Sequence, residues 1–228
     1  MPKVTYIMVS MRSNFEMSLF SLMSQDEEDI EVILINTDRG RTIRDGMDDS
    51  RVKVYNIPWE IAYNEGFKMA QGPVIGIQAD DDISFPNRTD LLLEAIAGVD
   101  VVLGSLVAMP GREVRTGSLG FGGWRRDLWA QDGIGFRGDI GAKDGYFILE
   151  CLARGKRFAI DYRPSGLYSL AGTSATRAGE LAADKARLAN DLRVKIESEF
   201  GPIPDCGIRE WGIADFGKAI KAGIPIYR

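Results

Sequence analysis

A short buried strand that runs into three consecutive aspartates is the feature that most constrains this chain. The run Val74–Ile77 is apolar and β-branched apart from one glycine, which predicts a buried strand. Asp80, Asp81 and Asp82 follow it, and Pro86 prevents a regular strand from continuing beyond them. Three carboxylates at a strand end repel one another, and packing alone gives no reason to place them there. Because their oxygens suit Mg²⁺ or Mn²⁺, we interpret the stretch as a metal–phosphate site, with a solvated acidic turn as the alternative.

The composition excludes several classes of chemistry. Histidine is absent, which rules out imidazole general bases, serine–histidine triads and histidine-ligated zinc. The net charge of −5 gives no overall attraction to nucleic acid, although a local basic strip stays open. Cys151 and Cys206 have no metal or redox spacing and suit free thiols in a reducing compartment. The apolar run at the N-terminus is too short for a signal peptide or a membrane span. We therefore expect a cytoplasmic protein without a transmembrane segment.

Alternating strand and helix patterns fill the first half of the chain. Apolar runs predict strands at 4–10, 31–35, 52–57, 74–77 and 99–107, and helices at 15–23, 61–70 and 87–97. This alternation implies an α/β fold of the Rossmann-like kind, with a mainly parallel central sheet flanked by helices.

The second half is predicted to be less regular. Residues 110–141 are rich in glycine and arginine, which predicts loops that approach a ligand closely. Further patterns predict helices at 145–153 and 176–200, a short strand at 158–160 and an irregular tail at 202–228. The 228 residues therefore suggest one domain over 1–175, with a C-terminal helical and irregular extension over 176–228 packed on it.

Four landmarks follow one another between residues 4 and 158. Val4–Ser13 is a strand with its loop, and Glu31–Ile35 is a second strand. The run Ala62–Ile75 fits the pattern A-x-N-x-G-hydrophobic-x-x-A-x-G-x-hydrophobic-I and leads into the acids. Trp124–Leu128 and, after a glycine-rich gap, Lys143–Asp144 follow. In this order the landmarks resemble a GT-A fold glycosyltransferase of family 2, which transfers a sugar from a nucleotide-sugar donor.

The resemblance implies a donor site and a metal. Residues 1–98 would bind the nucleotide sugar and residues 99–175 would face the acceptor. We expect Asp81 and Asp82 to bind Mn²⁺ or Mg²⁺, and Asp80 to face the ribose or the sugar. Uridine is the family's commonest base, so a UDP sugar is the expected donor. The other residues expected around the nucleotide sugar are Ser10, Arg12, Asn36, Asp38, Asn64, Arg125 and Arg126.

Alternatives remain for some of these residues. Asn64 lies in the predicted second helix, where its role is alternatively that of a helix terminus. Arg125 and Arg126 would clamp a phosphate or a sugar acid, and they are alternatively surface charges.

Asp144 is the candidate catalytic base. An inverting transfer needs a carboxylate that takes the proton from the attacking hydroxyl, and the resemblance puts it at Asp144. An aspartate just before an apolar helix is alternatively an N-cap.

The chain departs from the family pattern in three places. Ala79 stands where the family has its first aspartate, and Lys143 stands where it has glutamate. The late histidine that often completes metal binding has no counterpart, since residues 167–170 offer only hydroxyls. A catalytically silent relative that binds a nucleotide or sugar is therefore the alternative function. A nucleotidyltransferase is disfavoured because the loop 11–14 lacks glycine.

The acceptor is not defined by the sequence. A saccharide is the leading candidate, and a lipid carrier or a modified DNA base stays open. The sequence does not predict the oligomeric state.

Overall fold

The computed structural model describes residues 1–11, 15–38, 40, 43, 49–109, 111–137, 143–169, 181–209 and 212–228. The strands are β1 (Val4–Ser10), β2 (Ile30–Asn36), β3 (Val52–Asn56), β4 (Val74–Ala79), β5 (Ile83–Ser84), β6 (Val101–Met109), β7 (Glu113–Arg125), β8 (Phe158–Ser169), β9 (Ile208–Arg209), β10 (Gly212–Ile213) and β11 (Ile226–Tyr227). The helices are α1 (Glu16–Met23), α2 (Ala62–Met69), α3 (Arg88–Ala95), α4 (Asp127–Ala130), α5 (Lys143–Ala153), α6 (Leu181–Phe200) and α7 (Phe216–Lys221).

The central sheet has the strand order β11-β8-β6-β7-β4-β1-β2-β3. Strand β7 is antiparallel to both of its neighbours, β4 and β6, and β5 is attached antiparallel to β8. The other pairings in the described part of this sheet are parallel. The predicted mainly parallel α/β sheet is confirmed. Its topology brings the carboxyl ends of β1 to β4 together at one edge.

Both faces of the sheet are covered, which explains the unbroken apolar runs of the central strands. In β1, Tyr6 and Met8 pack in a cluster with residues of α1 and α3. Ile7 and Val9 point to the other face and pack with residues of α2 and α5. A strand buried on both sides has no polar alternation, so the sequence signal was its length and β-branching.

The prediction of loops over 110–141 was wrong for most of that segment. Residues 113–125 form the long strand β7, and 127–130 form the short helix α4. A Cβ atom added at Gly122 would lie 1.9 Å from the carbonyl oxygen of Val102, and one added at Gly104 would lie 2.2 Å from that of Phe121. The glycines therefore allow close contact across the irregular register of β6 and β7, and they do not indicate a loop.

The C-terminal segment is more regular than the sequence suggested. Strands β9 and β10 pair with each other antiparallel, Asp215 caps α7 by accepting a hydrogen bond from the Lys218 N–H, and β11 pairs in parallel with β8. The strand predicted at 158–160 extends to Ser169. The predicted start of the long helix, at Thr176, lies outside the described residues. None of the described helices is long and apolar enough to cross a membrane.

Candidate active site

The three aspartates form a turn between β4 and β5, which we call the acidic turn (Asp80–Asp82). Asp80 and Asp82 are 6% and 5% exposed, and Asp81 is half-buried. Asp80 Oδ2 accepts a hydrogen bond from the backbone N–H of Met11 at 2.8 Å. The acidic turn is therefore fixed at the carboxyl edge of the sheet, directly beside the end of β1.

Polar side chains beneath the acidic turn hold its backbone. The amide Nε2 of Gln78 donates to the carbonyl oxygen of Asp82 and to Ser18 Oγ, both at 2.7 Å. Ser18 Oγ in turn donates to the carbonyl oxygen of Ala79 at 2.6 Å. Sequence reasoning missed these residues, although a buried glutamine in an apolar strand was the available signal.

Strand β8 reaches the acidic turn from the other half of the chain. Ile83 pairs with Leu167 and Ser84 with Gly166, in antiparallel register. Tyr168, the residue after Leu167, therefore lies next to the acidic turn, and the sequence offers its hydroxyl in place of the family's histidine.

A pocket of about 220 Å³ opens at the ends of β2 and β3. Asn36, 3% exposed, donates from Nδ2 to Asn56 Oδ1 at 2.9 Å and to the carbonyl oxygen of Asp38 at 3.1 Å. Ser10 is the register partner of Asn36 and is fully buried at the end of β1. The pocket is lined by Asn36, Thr37, Asp38, Asn56, Ile57 and Pro58. The structure thus gathers Ser10, Asn36 and Asp38 at one edge, while Arg12 lies outside the described residues.

Asp144 lies in the first turn of α5 and is exposed. Its Oδ1 accepts a hydrogen bond from the backbone N–H of Gly145 at 2.9 Å. A carboxylate at this position is stabilised by the helix dipole. This contact supports the alternative in which Asp144 stabilises the start of helix α5. Because the side chain is exposed, it is also accessible to a substrate.

The hydroxyl of Tyr63 is influenced electrostatically by both Asp144 and the acidic turn. Burial raises the pKa of the Tyr63 hydroxyl, and the negative charge of Asp144 raises this pKa further. Asp80 and Asp82 contribute to the same rise in the pKa. The charges of the acidic turn and of Asp144 therefore both act on the hydroxyl of Tyr63. Sequence reasoning missed Tyr63, which occupies the unspecified position of the A-x-N-x-G pattern.

The ring of Tyr63 is held by aromatic neighbours. Its centroid lies 5.1 Å from that of Phe136 and 5.8 Å from that of Trp59. Asn64, the next residue, forms two hydrogen bonds with the backbone of Phe136, donating to its carbonyl oxygen at 2.6 Å and accepting from its N–H at 2.9 Å. The amide of Asn64 therefore ties α2 to the segment that precedes Asp144, rather than pointing freely into the pocket.

The structure does not bring Arg125 and Arg126 to this site. Arg125 is in register with Val74, at the amino end of β4, about 20 Å along the strand from the acidic turn. Arg125 donates to the carbonyl oxygens of Val99 at 2.7 Å and Ile96 at 3.0 Å, and Arg126 to that of Ala70 at 2.9 Å. Neither residue belongs to the site proposed below.

The acidic turn offers the oxygen donors that Mg²⁺ and Mn²⁺ prefer. Within the described residues, no group of three or more histidine, cysteine, aspartate or glutamate side chains converges as a metal site. A divalent ion at the acidic turn would therefore complete its coordination with water and phosphate oxygens. Mg²⁺ is commonly bound in this way, through one or two carboxylates and a substrate phosphate, so the donor set fits the ion.

The sequence comparison decides the family. Residues 12–146, more than half of the chain, match the family model described as glycosyl transferase family 2. The chain belongs to this family. No significant match was found among curated proteins.

Solved structures show that the fold of this family 2 chain is GT-A. The S. aureus TarS 1–349 structure in complex with UDP-GlcNAc has a TM-score of 0.66 and 16% identity, with 86% of this chain and 66% of that chain covered. The mannosyltransferase PcManGT from Pyrobaculum calidifontis, in complex with GDP-Man and Mn²⁺, has a TM-score of 0.62 and 16% identity, with 89% and 66% covered. The match to the longer S. aureus TarS structure has a TM-score of 0.60 at 16% identity and covers 86% of this chain. This chain spans about two thirds of the TarS 1–349 fragment and 40% of that longer TarS chain.

Proposed function

We propose that this protein transfers a sugar from a nucleoside diphosphate sugar to an acceptor hydroxyl, with inversion at the anomeric carbon. The observation that carries the proposal is the position of the acidic turn in this family 2 chain: Asp80 is fixed beside the end of β1, at the same edge of the sheet as the pocket at the ends of β2 and β3. A donor site and a base on opposite sides of the reacting carbon are what an inverting displacement needs.

The nucleoside is proposed to occupy the pocket at the ends of β2 and β3. Asn36, Asp38 and Asn56 supply polar groups there, and the buried Ser10 continues the same edge towards the acidic turn. The diphosphate then lies over Asp80–Asp82. Uridine is the base we propose first. The TarS structure contains UDP-GlcNAc and the PcManGT structure contains GDP-Man. Guanosine is therefore the alternative base that the experiment must distinguish from uridine.

Asp81 and Asp82 are proposed to hold the divalent ion, Mn²⁺ or Mg²⁺. When bound, such an ion stabilises the negative charge of the diphosphate leaving group as a Lewis acid. Asp80, fixed by the Met11 N–H, is proposed to face the ribose or the sugar.

Asp144 is proposed to act as the general base. The acceptor oxygen forms a bond to the anomeric carbon, its proton passes to Asp144, and the bond from that carbon to the diphosphate oxygen breaks. The products are the glycosylated acceptor and a nucleoside diphosphate. Residues 1–98 would thus bind the donor and residues 99–175 the acceptor side. We propose a saccharide hydroxyl as the acceptor. The alternative acceptor to be tested is a modified DNA base.

A thermal-shift panel of UDP, GDP, CDP, ADP and dTDP, each with and without Mn²⁺, tests the donor site. Because a ligand of the native state raises the melting temperature, one nucleotide should raise it, and only with the metal. No shift with any nucleotide would contradict the donor site. Binding without release of nucleoside diphosphate from any nucleotide sugar would favour the silent relative.

A further inference from the structure

Arg88, the first residue of α3, is a buried cation with uncharged partners. Its side chain is 1% exposed. In the described part of the chain its guanidinium donates to Gln78 Oε1, to Ser84 Oγ at 2.8 Å, and to two backbone carbonyl oxygens at 2.7 and 2.9 Å. Those carbonyls belong to Ile77 and Gly120.

Burial of the Arg88 charge among uncharged partners lowers the free energy of unfolding. A buried charge without an opposite charge in hydrogen-bond contact loses its hydration and regains only part of it from neutral acceptors. The Nε–H of Arg88 is buried and has no hydrogen-bond partner among the described residues. The rings of Tyr6 and Phe121 lie 4.8 and 5.2 Å from the guanidinium carbon and offset part of this cost.

Asp82, in the acidic turn, acts electrostatically on this charge. Burial lowers the pKa of Arg88, and the neighbouring Tyr6 and the charge of Asp82 partly oppose this shift. A cation near one of several adjacent carboxylates offsets part of their mutual repulsion.

Hydrogen bonds connect Arg88 to the backbone of the acidic turn. The Oε1 atom of Gln78 accepts from Arg88 and from Ser84, which orients the amide so that Nε2 donates to the carbonyl oxygen of Asp82. The backbone N–H of Ser84, in β5, donates to Ser21 Oγ at 3.0 Å. Both ends of the segment from Gln78 to Ser84 are therefore fixed by the same guanidinium.

We infer that Arg88 is a positioning residue of the donor site, which holds the acidic turn, through Gln78 and Ser84, in the conformation that meets the nucleotide sugar. The inference rests on the proposed donor site for its effect on binding. Its effect on the geometry of the acidic turn is independent of that function.

The test compares three variants with the wild type. Arg88→Lys keeps the charge but loses the planar donors that reach several acceptors at once. Gln78→Glu keeps an acceptor for Arg88 but can no longer donate to the carbonyl of Asp82. Arg125→Lys is the matched control, since Arg125 also donates to two backbone carbonyls but lies at the opposite edge.

Two measurements are made on each folded variant, both without turnover. Amide hydrogen exchange is followed at residues 79–84 in the free protein, and binding of UDP or GDP with Mn²⁺ is measured by calorimetry. We expect Arg88→Lys and Gln78→Glu to exchange about tenfold faster at 79–84 and to bind the nucleotide about tenfold more weakly. Arg125→Lys should change neither quantity, whatever its effect on the melting temperature.

The outcomes separate this inference from the proposed function. Unchanged exchange at 79–84 in Arg88→Lys and Gln78→Glu would overturn the positioning role. If the wild type binds no nucleotide, the proposed function fails, and the exchange measurement still decides the role of Arg88. If Arg88→Lys does not fold, Ser84→Ala is measured in its place, because this substitution removes one acceptor of Arg88 and leaves the charge intact. Faster exchange at 79–84 in Ser84→Ala would support the inference. Unchanged exchange there would overturn it.

Discussion

Asp80 Oδ2 accepts a hydrogen bond of 2.8 Å from the backbone N–H of Met11, so the ends of β4 and β1 are joined through a side chain. The two strands are already neighbours in the sheet, in parallel register from Val4 with Val74 onwards. The bond extends their contact beyond the last pair of the ladder. It also gives Asp80 a fixed orientation at the edge where the donor is proposed to bind.

This bond predicts a difference between two substitutions at Asp80. Asp80→Asn keeps an oxygen that can accept from Met11, whereas Asp80→Ala leaves that N–H without its acceptor. We expect Asp80→Ala to lower the free energy of unfolding by about 1–3 kcal/mol and Asp80→Asn to lower it by less. Urea unfolding measures both values. Equal losses in the two variants would contradict a structural role for the bond.

Asp144→Asn should separate transfer from binding. Loss of a general base is expected to reduce turnover by about 10²- to 10⁴-fold, while the nucleotide affinity stays unchanged because Asp144 is proposed to contact the acceptor and not the donor. Nucleoside diphosphate release and calorimetry are the two measurements. Asp127→Asn is the control, since Asp127 also lies in the first turn of a helix. A variant with full turnover would exclude Asp144 as the base.

Asn64→Ala should loosen the link between α2 and the segment before Asp144. The substitution removes both hydrogen bonds to the backbone of Phe136, which predicts a loss of about 1–3 kcal/mol in the free energy of unfolding. Exchange of the amides at 134–137 should become faster. Glu65→Ala is the control, because within the described residues the Glu65 side chain forms one ion pair, with the exposed Lys68, and its loss should cost less than about 0.5 kcal/mol. Normal exchange at 134–137 in Asn64→Ala would contradict the link.

Glu31 should make stability depend on pH. Burial alone raises the pKa of Glu31, but hydrogen bonds from Lys53, the Gln71 N–H and Thr5 outweigh it, and the pKa is lowered. A pKa lower in the folded state stabilises the fold above the unfolded value, about 4.3, and this stabilisation is lost as the pH falls through the folded pKa. Glu31→Gln should therefore be less stable than the wild type at pH 7, and the difference should shrink below about pH 4. Unfolding curves at both pH values check this, and a difference that does not change with pH would contradict it.

Gly122→Ala tests the close approach of β6 and β7. A Cβ at this position would lie 1.9 Å from the carbonyl oxygen of Val102, so the strands must separate, at a cost of about 3 kcal/mol or more. Gly111→Ala is the control because a Cβ there meets nothing within 4 Å. Similar melting temperatures for the two variants would mean that the register of β7 is different from the one described.

The sequence was informative where burial alone determines structure. The bounds of β1 were predicted correctly, and those of β2 and β4 to within two residues, because strands buried on both faces need continuous apolar residues. Those of the half-buried edge strand β3 were also predicted to within two residues. The position of the acidic turn followed from the same reasoning. The glycine-rich composition led to a wrong prediction of loops in the segment that forms β7. Glycine there allows close packing of the strands, but it is also common in loops, so composition does not distinguish the two.

The sequence did not allow us to predict which polar groups pair in the folded protein. Arg125 and Arg126 were expected at the donor because nothing local reveals that β7 runs antiparallel and ends at the amino edge. Tyr63 and Arg88 were missed for a related reason. Their partners come from other elements, and only the folded topology brings those elements together.

The pairing of Ile83 with Leu167 has a consequence for synthesis of the chain. The partner of β5 leaves the ribosome about 80 residues after β5 itself, a delay of roughly 4 to 16 seconds at usual elongation rates. During that interval a nascent chain carries its acidic residues without the strand that pairs next to them. On the proposed function, binding of the nucleotide is therefore a late event, which follows the synthesis of residues 166 and 167.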